Sequence, residues 1–155
     1  MLPLARRSNL NRHKGFTLIE VMISLAILSL SLLIIYPMCQ KSLETFEFNR
    51  VLSTFRDDIS LVRQHNMLTP KTPWQLKIDA TATRYEIKAS VGNQLILSRT
   101  LPKGFHFSTG NRVHIITFNT SGNINRAHTL PVLGPNQQAN IVFSVGLGGM
   151  DIRVQ

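Results

Sequence analysis

The sequence predicts an α+β protein in which a long N-terminal helix packs on a small antiparallel β-sheet or sandwich head. Three observations support this fold class. Residues 16–38 form a continuous apolar run, residues 48–62 carry apolar side chains at helical spacing, and residues 74–154 contain short runs that alternate apolar and polar side chains. The chain therefore divides into residues 1–15, 16–38, 39–69 and 70–155.

The apolar run 16–38 has the length of a transmembrane helix. At about 1.5 Å per residue it crosses a hydrocarbon core roughly 30 Å thick. The net charge of the chain is +9, and four basic residues, with no acidic one, lie in residues 1–15 before the run. Because basic residues beside a span remain in the cytoplasm, we expect a single-pass membrane protein whose head lies outside the cytoplasm.

The start of the run differs from that of a secretory signal peptide. No A-x-A-like site follows the run, and the small residue Gly15 precedes it instead. Glu20 lies inside the run, where a carboxylate costs roughly 2.5 kcal/mol or more. If the chain is cut after Gly15, the free amine of Phe16 in one copy pairs with the Glu20 carboxylate of a neighbour. The alternative is that Glu20 is a chance acidic residue at the membrane interface.

The segment Lys14-Gly15-Phe16-Thr17-Leu18-Ile19-Glu20 resembles the leader and cleavage motif of the type IV pilin-like superfamily. The resemblance implies that residues 1–15 are a prepilin leader cleaved between Gly15 and Phe16, and that Phe16 is then N-methylated. It also implies assembly roles for Glu20 and for Pro37, which stands where this family often has a helix-kinking proline. It covers about the first quarter of the chain.

Two pieces of the head, residues 116–122 and 142–154, are similar to minor pseudopilins of the competence group and to those of type II secretion. The resemblance implies a structural subunit, not an enzyme, of a competence pseudopilus that takes part in DNA uptake (transformation). A type II secretion pseudopilin and a DNA-binding pilus-tip subunit are the alternatives. The implied partners are the prepilin peptidase, other major and minor pseudopilins, the assembly platform protein and its ATPase, with DNA as a further candidate. The head would reach the cell surface after assembly.

One helix is expected from Thr17 to about Met67, with a kink or local melting at Pro37. Six apolar residues mark its head-facing side in the second half: Phe48, Val51, Leu52, Phe55, Ile59 and Val62. Strands are expected near 74–79, 84–89, 94–101, 104–107, 113–118, 140–145 and 151–154. A turn at Gly92-Asn93 joins two of them. The segment Asn123–Asn140, which contains Pro131, is expected to be irregular and outside the core.

The chain offers no reactive constellation that indicates catalysis, a metal or a cofactor. Its five histidines lack metal-ligand spacing, and His106 is expected on the outward side of a strand. The run Gly146–Gly149 is predicted to be a hairpin turn. Cys39 is the one cysteine, so no intramolecular disulfide is available, and it is interpreted as a small apolar filler.

Basic residues in the head and outer helix leave two interpretations open. If the fold brings them together, four arginines form a surface that attracts phosphates. These are Arg56, Arg63, Arg112 and Arg126. The alternative, which the absence of a compact cluster or an aromatic platform favours, is a solvated basic face or one complementary to an acidic neighbouring subunit.

Overall fold

The helix α1, Leu18–Leu68, dominates the N-terminal part of the chain. The computed structural model describes residues 16–110, 112–145 and 149–154. Thr69-Pro70 follows the last helical residue, where proline disfavours continuation of the helix, as expected. The residues around Pro37 keep helical geometry, so the local melting expected there is not observed. The chain divides into two structural units, residues up to Gln40 and residues from Lys41 onward.

The second unit contains two four-stranded antiparallel sheets. The first sheet has the order β3-β2-β1-β5 and the second has the order β4-β6-β7-β8. The strands are β1 Trp74–Ile78, β2 Arg84–Ala89, β3 Leu95–Thr100, β4 His106–Phe107, β5 His114–Thr117, β6 His128–Leu133, β7 Gln138–Phe143 and β8 Met150–Val154. The α+β class with a long helix and an antiparallel head is therefore confirmed.

One hydrophobic core joins the second half of α1 to both sheets. The ring of Phe55 lies 5.1 Å from that of Tyr85 in the first sheet and 4.9 Å from that of Phe107 in the second. All six apolar residues of the amphipathic repeat between Phe48 and Val62 are buried, as their spacing predicts. Both sheets thus pack against the second half of α1.

The expectation for Asn123–Asn140 was wrong, because this segment contains β6, an interior strand of the second sheet. Pro131 pairs with Asn140 of β7, while its carbonyl accepts a hydrogen bond from the Ser108 N–H next to β4. The nitrogen and carbonyl of one strand residue point to the same edge, so the missing N–H of Pro131 faces β4. Because the missing N–H faces away from β7 and lies beyond the end of β4 at Phe107, proline there costs no hydrogen bond to either strand.

Turn chemistry sets several strand ends. Gly92 and Asn93 both have positive φ, 75° and 53°, and lie in the four-residue turn between β2 and β3 that the hydrogen bond from the Ala89 N–H to the Gln94 carbonyl closes. Gly104 also has positive φ, 85°, so the strand expected from 104 begins only at His106. The strand expected over 140–145 lies instead at Gln138–Phe143. It pairs antiparallel with β8 across the predicted Gly146–Gly149 turn, of which residues 146–148 lie outside the described residues.

Candidate functional site

The N-terminal end of α1 is closed by a reciprocal pair of side chains, Thr17 and Glu20. Glu20 Oε2 accepts hydrogen bonds from the Thr17 backbone N–H at 2.8 Å and from the Thr17 hydroxyl at 2.9 Å. The Thr17 Oγ1 in turn accepts from the Glu20 backbone N–H at 3.3 Å. This is a capping box, which satisfies backbone donors that the first helical turn leaves unpaired.

The capping role of Glu20 was missed in the sequence interpretation, although a signal for it was present. The spacing Thr-x-x-Glu before an apolar run is the pattern of a capping box. A carboxylate has about four lone-pair positions, so the cap leaves acceptor capacity for a partner outside the chain. Within the chain, Glu20 therefore organises the helix start next to Phe16, whose side chain is 90% exposed.

The apolar part of α1 is exposed around its whole circumference. Sixteen large apolar side chains between Phe16 and Met38 are exposed. The described residues contain one helix long and apolar enough to cross a membrane, and its apolar stretch lies near the N-terminus. Covering each such side chain is worth about 1.5–3 kcal/mol, so this surface strongly favours lipid or neighbouring helices over water.

Two serines in the apolar part of α1, Ser24 and Ser31, form hydrogen bonds within their own helix. The Ser24 hydroxyl donates to the Glu20 carbonyl at 2.7 Å, and the Ser31 hydroxyl donates to the Ile27 carbonyl at 2.9 Å. Such back-bonding places a small, neutral side chain on the helix surface. Close helix packing is therefore possible along this side without a buried unpaired hydroxyl.

The structure describes some of the remaining residues of the predicted N-terminal site but not others. Gly15, with the rest of the leader 1–15, lies outside the described residues. Pro37 is inside α1, and Cys39 is exposed two residues later. Exposure means that Cys39 fills no space within this chain, so its interpretation as an apolar filler fails for the isolated subunit.

A buried charge that the sequence did not reveal connects α1 to the first sheet. Asp58 is 4% exposed and accepts hydrogen bonds from the Tyr85 hydroxyl at 2.7 Å and from Arg99 Nε at 2.6 Å. Burial, reinforced by the Asp58 carboxylate, raises the pKa of Tyr85, so the phenol stays protonated and donates. Arg99 and Asp58 are 41 residues apart, and only the fold brings them together.

The four arginines proposed for nucleic-acid contact lie on different elements: Arg56 and Arg63 are on α1, Arg112 precedes β5 and Arg126 precedes β6, and the phosphate-attracting surface stays a prediction. Arg63 lies against the turn at Gly122, whose added Cβ would come within 2.9 Å of Arg63 Nε. Arg126 lines a groove beside β5. Arg56 and Arg112 are exposed.

Two histidines meet where β5 and β6 approach each other. The rings of His114 and His128 are 4.5 Å apart, and His128 stacks on Phe143 at 4.6 Å. Burial and the neighbouring His128 lower the pKa of His114. His106 is exposed between the buried Phe105 and Phe107, as the alternation predicts. Within residues 16–110, 112–145 and 149–154 no three His, Cys, Asp or Glu side chains form a metal-binding group.

Comparison with known proteins gives a family match for the N-terminal segment and a structural match for the fold. Residues 10–36 match the family model of the prokaryotic N-terminal methylation motif. A search of curated proteins finds no significant match for the chain as a whole.

The fold is similar to that of the minor pseudopilin EpsH from the type 2 secretion system of Vibrio cholerae. The TM-score is 0.52 at 15% sequence identity, over 67% of this chain and 94% of that one. At this identity the likeness concerns the fold. The chain therefore combines an N-terminal methylation motif with the helix-and-two-sheet fold of a minor pseudopilin.

Proposed function

We propose that this protein is a minor pseudopilin, a structural subunit of a membrane-rooted filament. The observation that carries the proposal is the coincidence of two independent features in one chain. The methylation motif covers residues 10–36, and the fold is similar to that of a minor pseudopilin. The subunit contributes shape and contacts to the filament rather than catalysis.

In this proposal the apolar half of α1 acts first as a membrane anchor and then as an assembly element. The prepilin peptidase removes residues 1–15, and the exposed apolar side chains hold the processed subunit in the membrane. The assembly platform and its ATPase then move it against neighbouring pseudopilins. Lipid and helix neighbours both cover apolar surface, so this transfer needs little new hydrophobic driving force.

Glu20 supplies directionality to the contact between subunits. Its carboxylate caps its own helix through Thr17 and retains lone pairs for the methylated amine of a neighbouring Phe16. An unpaired carboxylate in an apolar environment is costly, so the position in which the amine meets it is favoured over neighbouring registers.

We assign the filament to a DNA-uptake (competence) system as the first candidate. The short head and the single cysteine, which excludes an internal disulfide, support this assignment. A type II secretion system is the second candidate, because the similar structure comes from such a system. Deleting the gene distinguishes them: loss of transformation with normal secretion indicates DNA uptake, and loss of secretion with normal transformation indicates the second candidate.

Variants at Glu20 test the assembly role directly. We expect Glu20→Ala to be cleaved normally but to enter filaments at least about tenfold less, because the neighbouring amine loses its partner. Glu20→Gln retains a capping oxygen but no charge, so it should also fail to assemble. Glu47→Ala, an exposed carboxylate on the same helix, is the matched control. Normal incorporation of both Glu20 variants, measured by cross-linking to the major pseudopilin, would refute the role.

A further inference from the structure

Strand β5 has one edge that is paired and one edge that is largely open. It pairs with β1 on one side, and on the other side the Thr117 carbonyl accepts a hydrogen bond from the Asn125 N–H at 3.3 Å. Alternate residues of a strand direct their backbone groups to the same edge, so the N–H and carbonyl of Ile115 also point away from β1. No described residue forms a backbone hydrogen bond with these groups of Ile115.

A groove of about 510 Å³ runs along this open edge. We call it the β5 groove; it is lined by residues 113–117 and by Ile124, Asn125, Arg126 and His128. Val113 and Ile115 expose about half of their side chains beside it, at 46% and 51%. The groove therefore combines unpaired backbone groups with apolar side chains at alternate positions, which is what an added strand contacts.

The charge of the β5 groove has one sign. Arg126 lines it, the exposed Arg112 precedes its first residue, and none of its lining residues is acidic. Two buried nitrogens, His114 Nε2 and His128 Nε2, have no hydrogen-bond partner in the described residues. His128 Nδ1 donates to the Arg126 carbonyl at 2.9 Å, so Nε2 of the neutral ring is an acceptor. The charges of Arg126 and Arg112 therefore favour an occupant that carries negative charge.

We propose that the β5 groove binds an extended acidic peptide segment of another protein, which adds as a strand to the open edge of β5. Its backbone pairs with Ile115, and its carboxylates face Arg126. The open backbone edge favours a peptide over nucleic acid. The two imidazole rings of the groove are also unsuited to base stacking, since they pack against each other at 4.5 Å and His128 is stacked on Phe143. The groove lies in the unit from Lys41 onward, so this inference is independent of the filament role.

A direct test measures fluorescence anisotropy of labelled probes with the full chain in non-ionic detergent. The main probe is a ten-residue peptide of alternating valine and glutamate. The comparison probes are its valine–lysine analogue, the same acidic peptide N-methylated at alternate residues, and a twelve-nucleotide oligothymidine. We expect binding of the acidic peptide, and loss of binding for the lysine and N-methylated analogues.

Two variants test the two halves of the contact. Arg126→Glu should weaken acidic-peptide binding at least about tenfold. Lys103→Glu makes the same charge change at an exposed residue outside the groove and should leave binding unchanged. Ile115→Pro removes the N–H of the open edge without affecting the bonds to β1, and it should abolish binding. The N-methylated probe makes the same test on the native chain if Ile115→Pro does not fold.

Several results would overturn the proposal. These are no binding of the acidic peptide, equal binding of its lysine or N-methylated analogue, and equal loss with Lys103→Glu. Tighter, Arg126-dependent binding of the oligothymidine would instead make the groove a nucleic-acid site.

Discussion

Asn66 is a buried polar side chain that ties three parts of the head together. Its Nδ2 donates to the carbonyls of Trp74 and Phe118 at 2.9 and 3.1 Å, and its Oδ1 accepts from the Trp74 N–H at 2.7 Å. Replacing it leaves buried backbone groups unpaired. We therefore expect Asn66→Ala to lower the free energy of unfolding by about 2–4 kcal/mol.

Denaturant unfolding of the full chain, followed by the fluorescence of Trp74, measures this effect. Gln64→Ala, an exposed polar residue on the same helix, is the control and should change the free energy of unfolding by less than about 0.5 kcal/mol. A loss below about 1 kcal/mol for Asn66→Ala would show that the three hydrogen bonds are not needed.

Asp58 and Asp57 are adjacent acidic residues in very different environments, which makes them a matched pair. Asp58 is buried against Tyr85 and Arg99, whereas Asp57 is exposed. Because the Arg99 side chain is 44% exposed, its charge is partly solvated even without Asp58. We expect Asp58→Ala to cost about 2–3 kcal/mol, mainly from the unpaired Tyr85 hydroxyl, and Asp57→Ala to cost almost nothing. Equal effects in urea unfolding would contradict this account.

The lowered pKa of His114 predicts that the free energy of unfolding decreases on acidification. Burial and His128 lower its pKa from the ordinary value of 6.5, and the other charged group lining the groove, Arg126, is also positive. Below about pH 6.5 the His114 ring binds a proton more readily in the unfolded chain than in the folded chain. The free energy of unfolding therefore decreases as the pH is lowered, and the effect disappears above about pH 7. The free energy of unfolding should therefore drop less between pH 7.5 and 5.5 in His114→Leu than in the native chain. His106→Leu, at an exposed strand position, should leave the drop unchanged; an identical drop in both variants would count against the assignment.

At the scale of elements, the turn between β5 and β6 depends on glycine for two separable reasons. Gly122 has a φ of 74°, and an added Cβ would lie 2.7 Å from Met67 Sδ of α1. Gly92 has a nearly equal φ of 75° but no atom within 4 Å of an added Cβ. Gly92→Ala therefore measures the backbone cost alone, about 1 kcal/mol, and Gly122→Ala should cost at least about 1 kcal/mol more. Equal losses of unfolding free energy would mean that Met67 and Arg63 move aside freely.

The elements that the sequence predicts well are those with strong local periodicity. The repeat from Phe48 to Val62 identifies the buried side of α1, and Gly92-Asn93 identifies the β2–β3 hairpin. Strand β6 was missed because Pro131 removes a backbone donor, and sequence alone does not show which edge of a strand that donor would face.

Among the candidate sites, too, local patterns can be predicted from the sequence and long-range pairings cannot. The pattern Thr17-x-x-Glu20 is local and readable, whereas the Asp58–Arg99 pair and the open edge of β5 arise from the order of strands in the sheet. Long-range pairings of this kind leave no periodic signal, so sequence patterns do not reveal them.

At the scale of the whole molecule, an exposed apolar helix segment precedes a head with a core of its own. The apolar surface of residues 16–38 is tolerable for a subunit that is always covered, first by lipid and then by neighbours. A leader that is cut on the cytoplasmic side would leave that helix attached to the mature protein, unlike a signal peptide.

The N-terminus of the protein isolated from its native cells tests this central claim most directly. Intact-mass and N-terminal peptide analysis should show a chain that lacks Met1–Gly15 and begins at Phe16 with one added methyl group. A Gly15→Val variant should keep all 15 leader residues, because the peptidase then lacks its small residue. A native chain that retains Met1–Gly15, or a Gly15→Val variant cut as efficiently as the native chain, would contradict the account.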